Sequence, residues 1–120
     1  LILAYSHCIA HGYDLRNGLS QQDRAVASGY WPLMRYDPEL RRVGAAPFRL
    51  DSPRPPLPFK DYAYKELRYA ALAASRPDDA AALLKQAQEA ILEKYHAYEE
   101  FAQMDAGPDP SRSMGAARKP

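Results

Sequence analysis

The chain has 120 residues, and 16 basic against 15 acidic side chains leave a net charge of +1. That balance offers no electrostatic footprint for nucleic acid or an anionic membrane, and no apolar run approaches the roughly eighteen residues of a spanning helix. A hydrophobic fraction of 47% with nine tyrosines implies a packed body of at most one domain, rich in helix. The single cysteine excludes an internal disulfide and, with no basic flank of a signal peptide at the start, fits a reducing, cytoplasmic setting. The chain opens on Leu1, inside an apolar run, and reads as a piece of something longer.

In chain order, residues 1–5 are too short for a membrane and too apolar for a loop, so they read as a buried strand of a parallel sheet. Ser6-His7-Cys8-Ile9-Ala10-His11-Gly12 then forms a polar turn just past the strand's carboxyl end, where α/β sheets collect ligands. Leu15, Leu19, Gln22 and Val26 recur at helical spacing, with Ser20 and Asp23 resembling a capping box and Gly29 marking the helix end. Tyr30-Trp31-Pro32-Leu33-Met34-Arg35-Tyr36 reads as an edge strand closed by Asp37-Pro38, which completes a parallel strand-helix-strand crossover.

Residues 39–59 are broken by Gly44 and five prolines, with Phe48-Arg49-Leu50 as a short extended segment and residues 53–58 as a polyproline connector. Phe59, Ala63, Leu67, Ala70 and Ala74 form one face of a helix over 60–75. Pro77, Asp78 and Asp79 open a second helix with the stripe Leu84, Ala87, Ile91, Tyr95, Tyr98 and Ala102. The short link between them predicts an antiparallel helical hairpin. Residues 105–120, rich in Gly and Pro, predict a disordered tail.

On residue types alone, Cys8 stays open between an inert buried thiol, a metal or cluster ligand and a nucleophile. Cys8 and His11 have the C-x-x-H spacing of half a zinc site, but no second pair follows. Neighbouring His7 does not by sequence position reach hydrogen-bond distance of the thiol. The arginines at 35, 41, 42, 49 and 54 and the charges along the last helix read as solvated faces, and the tyrosines as packing. No phosphate loop, paired carboxylates or Ser-His-Asp set is evident.

Ala4-Tyr5-Ser6-His7-Cys8-Ile9-Ala10-His11-Gly12, Gln21-Gln22, Ala25-Val26 and Ser28-Gly29-Tyr30-Trp31-Pro32-Leu33 with Arg35-Tyr36-Asp37-Pro38 closely resemble the C-terminal end of the pyruvate:ferredoxin (flavodoxin) oxidoreductase family. The likeness continues through Leu50-Asp51-Ser52 and Lys60-Asp61-Tyr62 to about residue 104, and the first block followed at this distance by Gly29-Tyr30-Trp31-Pro32-Leu33 is specific to that family.

The resemblance implies an α/β fragment: residues 1–52 as the closing, parallel-sheet part of a thiamine-diphosphate-binding domain, 53–58 as connector and 59–104 as the hairpin. It implies an enzyme that converts pyruvate and coenzyme A to acetyl-CoA and CO2 and reduces ferredoxin or flavodoxin through 4Fe-4S clusters. Carried over by position, Cys8 is the fourth ligand of the thiamine-proximal cluster, the other three lying upstream; His7 and His11 take supporting or packing places with no firm role. Thiamine diphosphate, Mg and the substrate sites would belong to the rest of the enzyme, expected as a homodimer, and the fragment alone would not turn over. The contrasting reading is a non-catalytic helical interaction module with an inert cysteine, and a third is a zinc-binding fragment.

Overall fold

The computed structural model describes residues 1–104. The expected disorder of 105–120 concerns positions outside the described residues.

Residues 1–8 form no regular element, and a 3-10 turn, Ile9–His11, then closes on Gly12 at φ +71. A second 3-10 turn, Leu15–Asn17, starts where the Asp14 carboxylate accepts the Arg16 N–H, and runs into α1, Gly18–Ala27. The helix stops at Ser28, whose N–H donates to the Arg24 carbonyl, and the chain reverses through Gly29 at φ +73. Strand β1, Met34–Tyr36, pairs antiparallel with β2, Phe48–Leu50, across a 3-10 segment Pro38–Val43 capped by the Asp37 carboxylate. Three helices complete the fold: α2, Phe59–Ala63; α3, Leu67–Ser75; and α4, Pro77–Met104, about 42 Å long at ~1.5 Å per residue.

The architecture is therefore α/β, but among the described residues the sheet is a two-stranded antiparallel ribbon, not the expected parallel crossover. Leu1, Ile2 and Leu3 are exposed at 113, 92 and 75%, so the buried first strand is absent: no neighbouring strand is there to satisfy its backbone or cover its side chains. The strand expected over 30–36 is confined to its last three residues, and its true partner is the Phe48-Arg49-Leu50 segment. Register sets Arg35 opposite Arg49, a like-charge pair that Asp51 neutralises by taking Arg35 Nε at 2.7 Å and Arg49 Nε at 3.0 Å.

Two helical expectations also change. α1 begins before Ser20, so Ser20 and Asp23 make no capping box, and its covered face is Gly18, Gln21 and Ala25, while Leu15 and Leu19 point outward. The helix expected over 60–75 is broken at residues 64–66: Tyr64 ends α2, Glu66 is extended at φ −109, ψ 131, and Leu67 is 62% exposed. The break lets the Leu67 N–H donate to the Gly12 carbonyl at 2.8 Å instead of continuing the helical ladder. The long helix and its stripe hold, beginning at Pro77, with Ile91 and Tyr95 buried, and α3 packs against α4 as the expected hairpin.

The core joins Ala25 of α1, Phe59, Tyr62 and Ala63 of α2, and Ile91 of α4, with Tyr5, Tyr30 and Trp31 packed around them. Tyr30 stacks on Tyr62 with ring centroids 4.8 Å apart, and Phe59 sits 5.9 Å from Tyr30 on the same side. The ribbon is fastened to α4 by the Tyr95 hydroxyl, which donates to the Ser52 carbonyl at 2.5 Å, and by Phe48 against Tyr98 and Phe101. The proline connector is tied to the end of α1, the Leu57 N–H donating to the Ala27 carbonyl.

Gly29 has a positive φ, and a Cβ there would lie 2.6 Å from Pro55 Cγ and 3.0 Å from Ile91 Cγ2. Gly29→Ala is expected to destabilise by roughly 2 kcal/mol or more through backbone strain plus this collision, read as a lower urea midpoint. The Arg35 hydrogen bond, foremost, holds Asp51 below the usual carboxylate range. Its folded pKa lies below its unfolded value, so its stabilisation is complete above about pH 4 and is lost as pH falls through the folded value. The stability difference between the native chain and Asp51→Asn, measured by urea denaturation, is expected to shrink as the pH is lowered from 7 to 3.

Candidate functional site

Cys8 is the free, exposed end of an otherwise well-held turn. Its backbone is extended, at φ −139, ψ 141, and its carbonyl accepts the His11 N–H at 3.0 Å while Ile9 accepts from Gly12. The N–H groups of Ile9 and Ala10 precede the first bond of this turn and so have no helical partner. Among the described residues no group of three or more His, Cys, Asp or Glu side chains could hold a metal ion, so Cys8 and His11 find no second pair of ligands there.

Three attachments fix the turn to the helices. Tyr5, just before it, exchanges a hydroxyl bond with fully buried Tyr62 at 2.8 Å, and its carbonyl accepts Gln22 Nε2 at 3.1 Å. Just after it, the Gly12 carbonyl takes the Leu67 N–H. His11 lies between, stacked on the Tyr5 ring at 6.5 Å, with Nδ1 turned 3.8 Å from Oε1 of Glu66. Burial foremost, then the Tyr5 hydroxyl and the Glu66 charge, pushes the Tyr62 phenol far up, so it remains a neutral hydrogen-bonding group.

Glu66 is the residue that sequence reasoning missed. It is 1% exposed, accepts Gln21 Nε2 at 3.0 Å on one carboxylate oxygen and Arg68 Nε at 2.6 Å on the other. Gln21 also donates to the Tyr62 carbonyl at 3.2 Å, binding α1, α2 and the start of α3 through one amide. Burial is the largest single influence on Arg68 and opposes its charge, but the bond to Glu66, the charges of Tyr69 and Glu66 and a bond to Tyr30 together outweigh it and raise the guanidinium pKa. Around this pair, His7 Nδ1, His11 Nδ1 and the Tyr13 hydroxyl are buried without a hydrogen-bond partner among the described residues. Tyr13 is pushed up by burial, then by the charges of Glu66, Tyr5 and Cys8. The only sequence signal for Glu66 was a charge interrupting an aromatic and alanine-rich helix face.

His7 does not meet the thiol as an activating base. Its imidazole lies across the start of α1, where a Cβ on Gly18 would be 2.7 Å from Nε2, and its ring meets Tyr13 edge-on at 6.2 Å. The arginine scatter is spent in exposed pairs such as Arg54 with Glu99 and Arg42 with Glu39. On the far side, an open apolar cleft of about 500 Å³ is lined by Tyr30, Phe59, Tyr69, Leu83, Ile91 and Lys94. Lys94 donates to the Tyr30 carbonyl at 3.2 Å, and burial lowers its pKa.

The arrangement is one exposed thiol on a turn held by backbone and side-chain bonds on both sides. No family model matches the chain. Curated relatives do: it is 47% identical over 95 residues to pyruvate-flavodoxin oxidoreductase of Rhodospirillum rubrum, covering 79% of this chain and 8% of that protein. The enzyme of the same name from Trichormus variabilis is 43% identical over 102 residues, covering 85% of this chain and 9% of the relative. Pyruvate:ferredoxin oxidoreductase of Moorella thermoacetica is 40% identical over 98 residues, covering 79% and 8%. The chain belongs to the pyruvate-flavodoxin and pyruvate:ferredoxin oxidoreductase family. It spans less than a tenth of the length of these relatives.

Gly12 combines a positive φ with a close approach, since a Cβ would lie 2.5 Å from Leu67 Cβ. Gly12→Ala is expected to detach the turn from α3, seen as at least about tenfold faster hydrogen exchange at the Leu67 amide, equivalent to roughly 1.4 kcal/mol of lost protection.

Proposed function

We propose that this chain is part of an enzyme that oxidatively decarboxylates pyruvate and passes the electrons to flavodoxin or ferredoxin, and that Cys8 is its contribution to an iron-sulfur cluster. The relatives' names support the substrate and acceptor class. The observation that carries the ligand assignment is the exposed thiol on a turn held by Tyr5, Gly12 and the helices behind it.

The donor chemistry fits a 4Fe-4S cluster and limits it. A thiolate is the ordinary iron ligand of such clusters, and unpaired backbone N–H groups beside it are suited to hydrogen-bond cluster sulfides and tune the potential. Cys8 supplies one of four bonds, so the other three cysteines, with thiamine diphosphate, Mg and the pyruvate and coenzyme A sites, belong to the remainder of the enzyme. When bound, the cluster carries one electron at a time, which divides the two-electron oxidation of pyruvate to acetyl-CoA and CO2 into steps a ferredoxin or flavodoxin accepts. What this chain does is hold Sγ still while the charge of its iron changes: the Tyr5–Tyr62 bond and the Leu67–Gly12 bond restrain the turn on both sides.

In this reading the exposed Leu1, Ile2 and Leu3 complete a parallel sheet supplied by the thiamine-diphosphate domain, the enzyme is a homodimer, and the chain by itself has no turnover. The contrasting reading, an interaction module with an inert cysteine, leaves the exposure of Cys8 without a role.

In the complete gene product, Cys8→Ser is expected to remove or strongly perturb one cluster signal in electron paramagnetic resonance and to slow ferredoxin or flavodoxin reduction at least about tenfold, about 1.4 kcal/mol in barrier. In the native protein the Cys8 thiol should resist alkylation until iron is removed. Unchanged spectra in Cys8→Ser, with every cluster present and Cys8 freely alkylated in the native enzyme, would reject the assignment.

A further inference from the structure

Glu66 is a buried carboxylate with no catalytic assignment, placed where it costs most: a charge at 1% exposure is unfavourable unless its environment compensates it. The compensation is specific. Arg68 supplies the counter-charge at 2.6 Å and Gln21 a neutral donor at 3.0 Å, yet Oε1 also faces His11 Nδ1 at 3.8 Å, and that nitrogen has no partner among the described residues. His11 is the last residue of the 3-10 turn that starts at Cys8, and its own N–H closes that turn on the Cys8 carbonyl. The residue next to Glu66, Leu67, holds the other side of the same turn through Gly12. A hydrophobic residue at 66 would leave Arg68 and Gln21 without their acceptor, so the carboxylate belongs to a polar network and is not mere filling.

We infer that Glu66 is a positioning residue for Cys8: its carboxylate, fixed by Arg68 and Gln21, sets the His11 imidazole and through it the direction in which the Cys8 turn presents its sulfur. The inference rests on the reading of Cys8 as a cluster ligand for its functional consequence, but the hold of Glu66 on the turn is separate from it. Two effects follow for the bound cluster. Geometry depends on an acceptor at position 66, because that acceptor faces Nδ1. Potential depends on its charge, because a buried negative charge opposes the addition of an electron nearby.

The test compares Glu66→Gln, Glu66→Ala and His11→Phe in the complete gene product, with the wild type and Cys8→Ser alongside. Glu66→Gln keeps an acceptor and loses the charge, so it should retain the line shape of the Cys8-dependent cluster and shift its midpoint potential upward. Glu66→Ala should change both. His11→Phe keeps a ring against Tyr5 without Nδ1 and should change the line shape with little shift in potential. It also carries the test if Glu66→Ala does not fold. Wild-type line shape and potential in all the folded variants, while Cys8→Ser alters the cluster, would overturn the role of Glu66 and leave the ligand reading intact.

If instead Cys8→Ser leaves all clusters unchanged, the ligand reading fails, and hydrogen exchange at the His11 and Gly12 amides decides the rest. Exchange at least tenfold faster in Glu66→Ala or His11→Phe supports the positioning role, and exchange at the wild-type rate rejects it.

Discussion

Tyr62 is the contact on which the rest of the molecule turns. It is fully buried, its ring stacks on Tyr30, its carbonyl takes Gln21, and its hydroxyl reaches Tyr5, 57 residues earlier in the chain. A phenol is suited to this because one end fills an apolar core while the other must find a hydrogen-bond partner. Because that partner is Tyr5, the irregular first residues are tied to the helices by the same side chain that closes the core. The Cys8 turn, three residues further on, inherits its place from that bond.

The molecule divides its polar and apolar tasks around this point. Aromatic rings from residue 5, the 30–31 corner and α2 make the core, and beside it lies the one buried charge among the described residues, Glu66, paired with the more exposed Arg68. Most other charges pair at the surface, where such bonds contribute little to stability. The Asp51 carboxylate is an exception in kind, since it allows two arginines to face each other across a ribbon of three residue pairs. That ribbon is too small to be stable alone, and its attachment to α4 through Tyr95 and Phe48 supplies what the strands lack.

Function follows from the contrast between a held backbone and an open side chain. A cysteine buried in the core would be inert, and one on a loose loop would not define a geometry for metal. Cys8 is neither: the backbone around it is fastened before and after, and the thiol is exposed. The matched stretch is only 8 to 9% of these relatives' length, so most of such a protein lies outside this chain.

Local pattern by itself determined the long helix, its Pro77 start and its Ile91 and Tyr95 stripe, the stop at Gly29, the Phe48-Arg49-Leu50 strand and, through two sequence blocks, the family. These are legible because helical periodicity, proline and glycine geometry and short motifs are properties of neighbouring residues. Only the tertiary structure decided that β1 pairs with β2 rather than with the first residues, that the 60–75 helix breaks, and that Glu66 is buried against Gln21, Arg68 and His11. Each of these depends on a partner 12 to 55 positions away or on backbone bonds taken by another segment, such as the Leu67 N–H to Gly12. A buried carboxylate looks in sequence like any solvated charge, because its donors come together only when the helices pack.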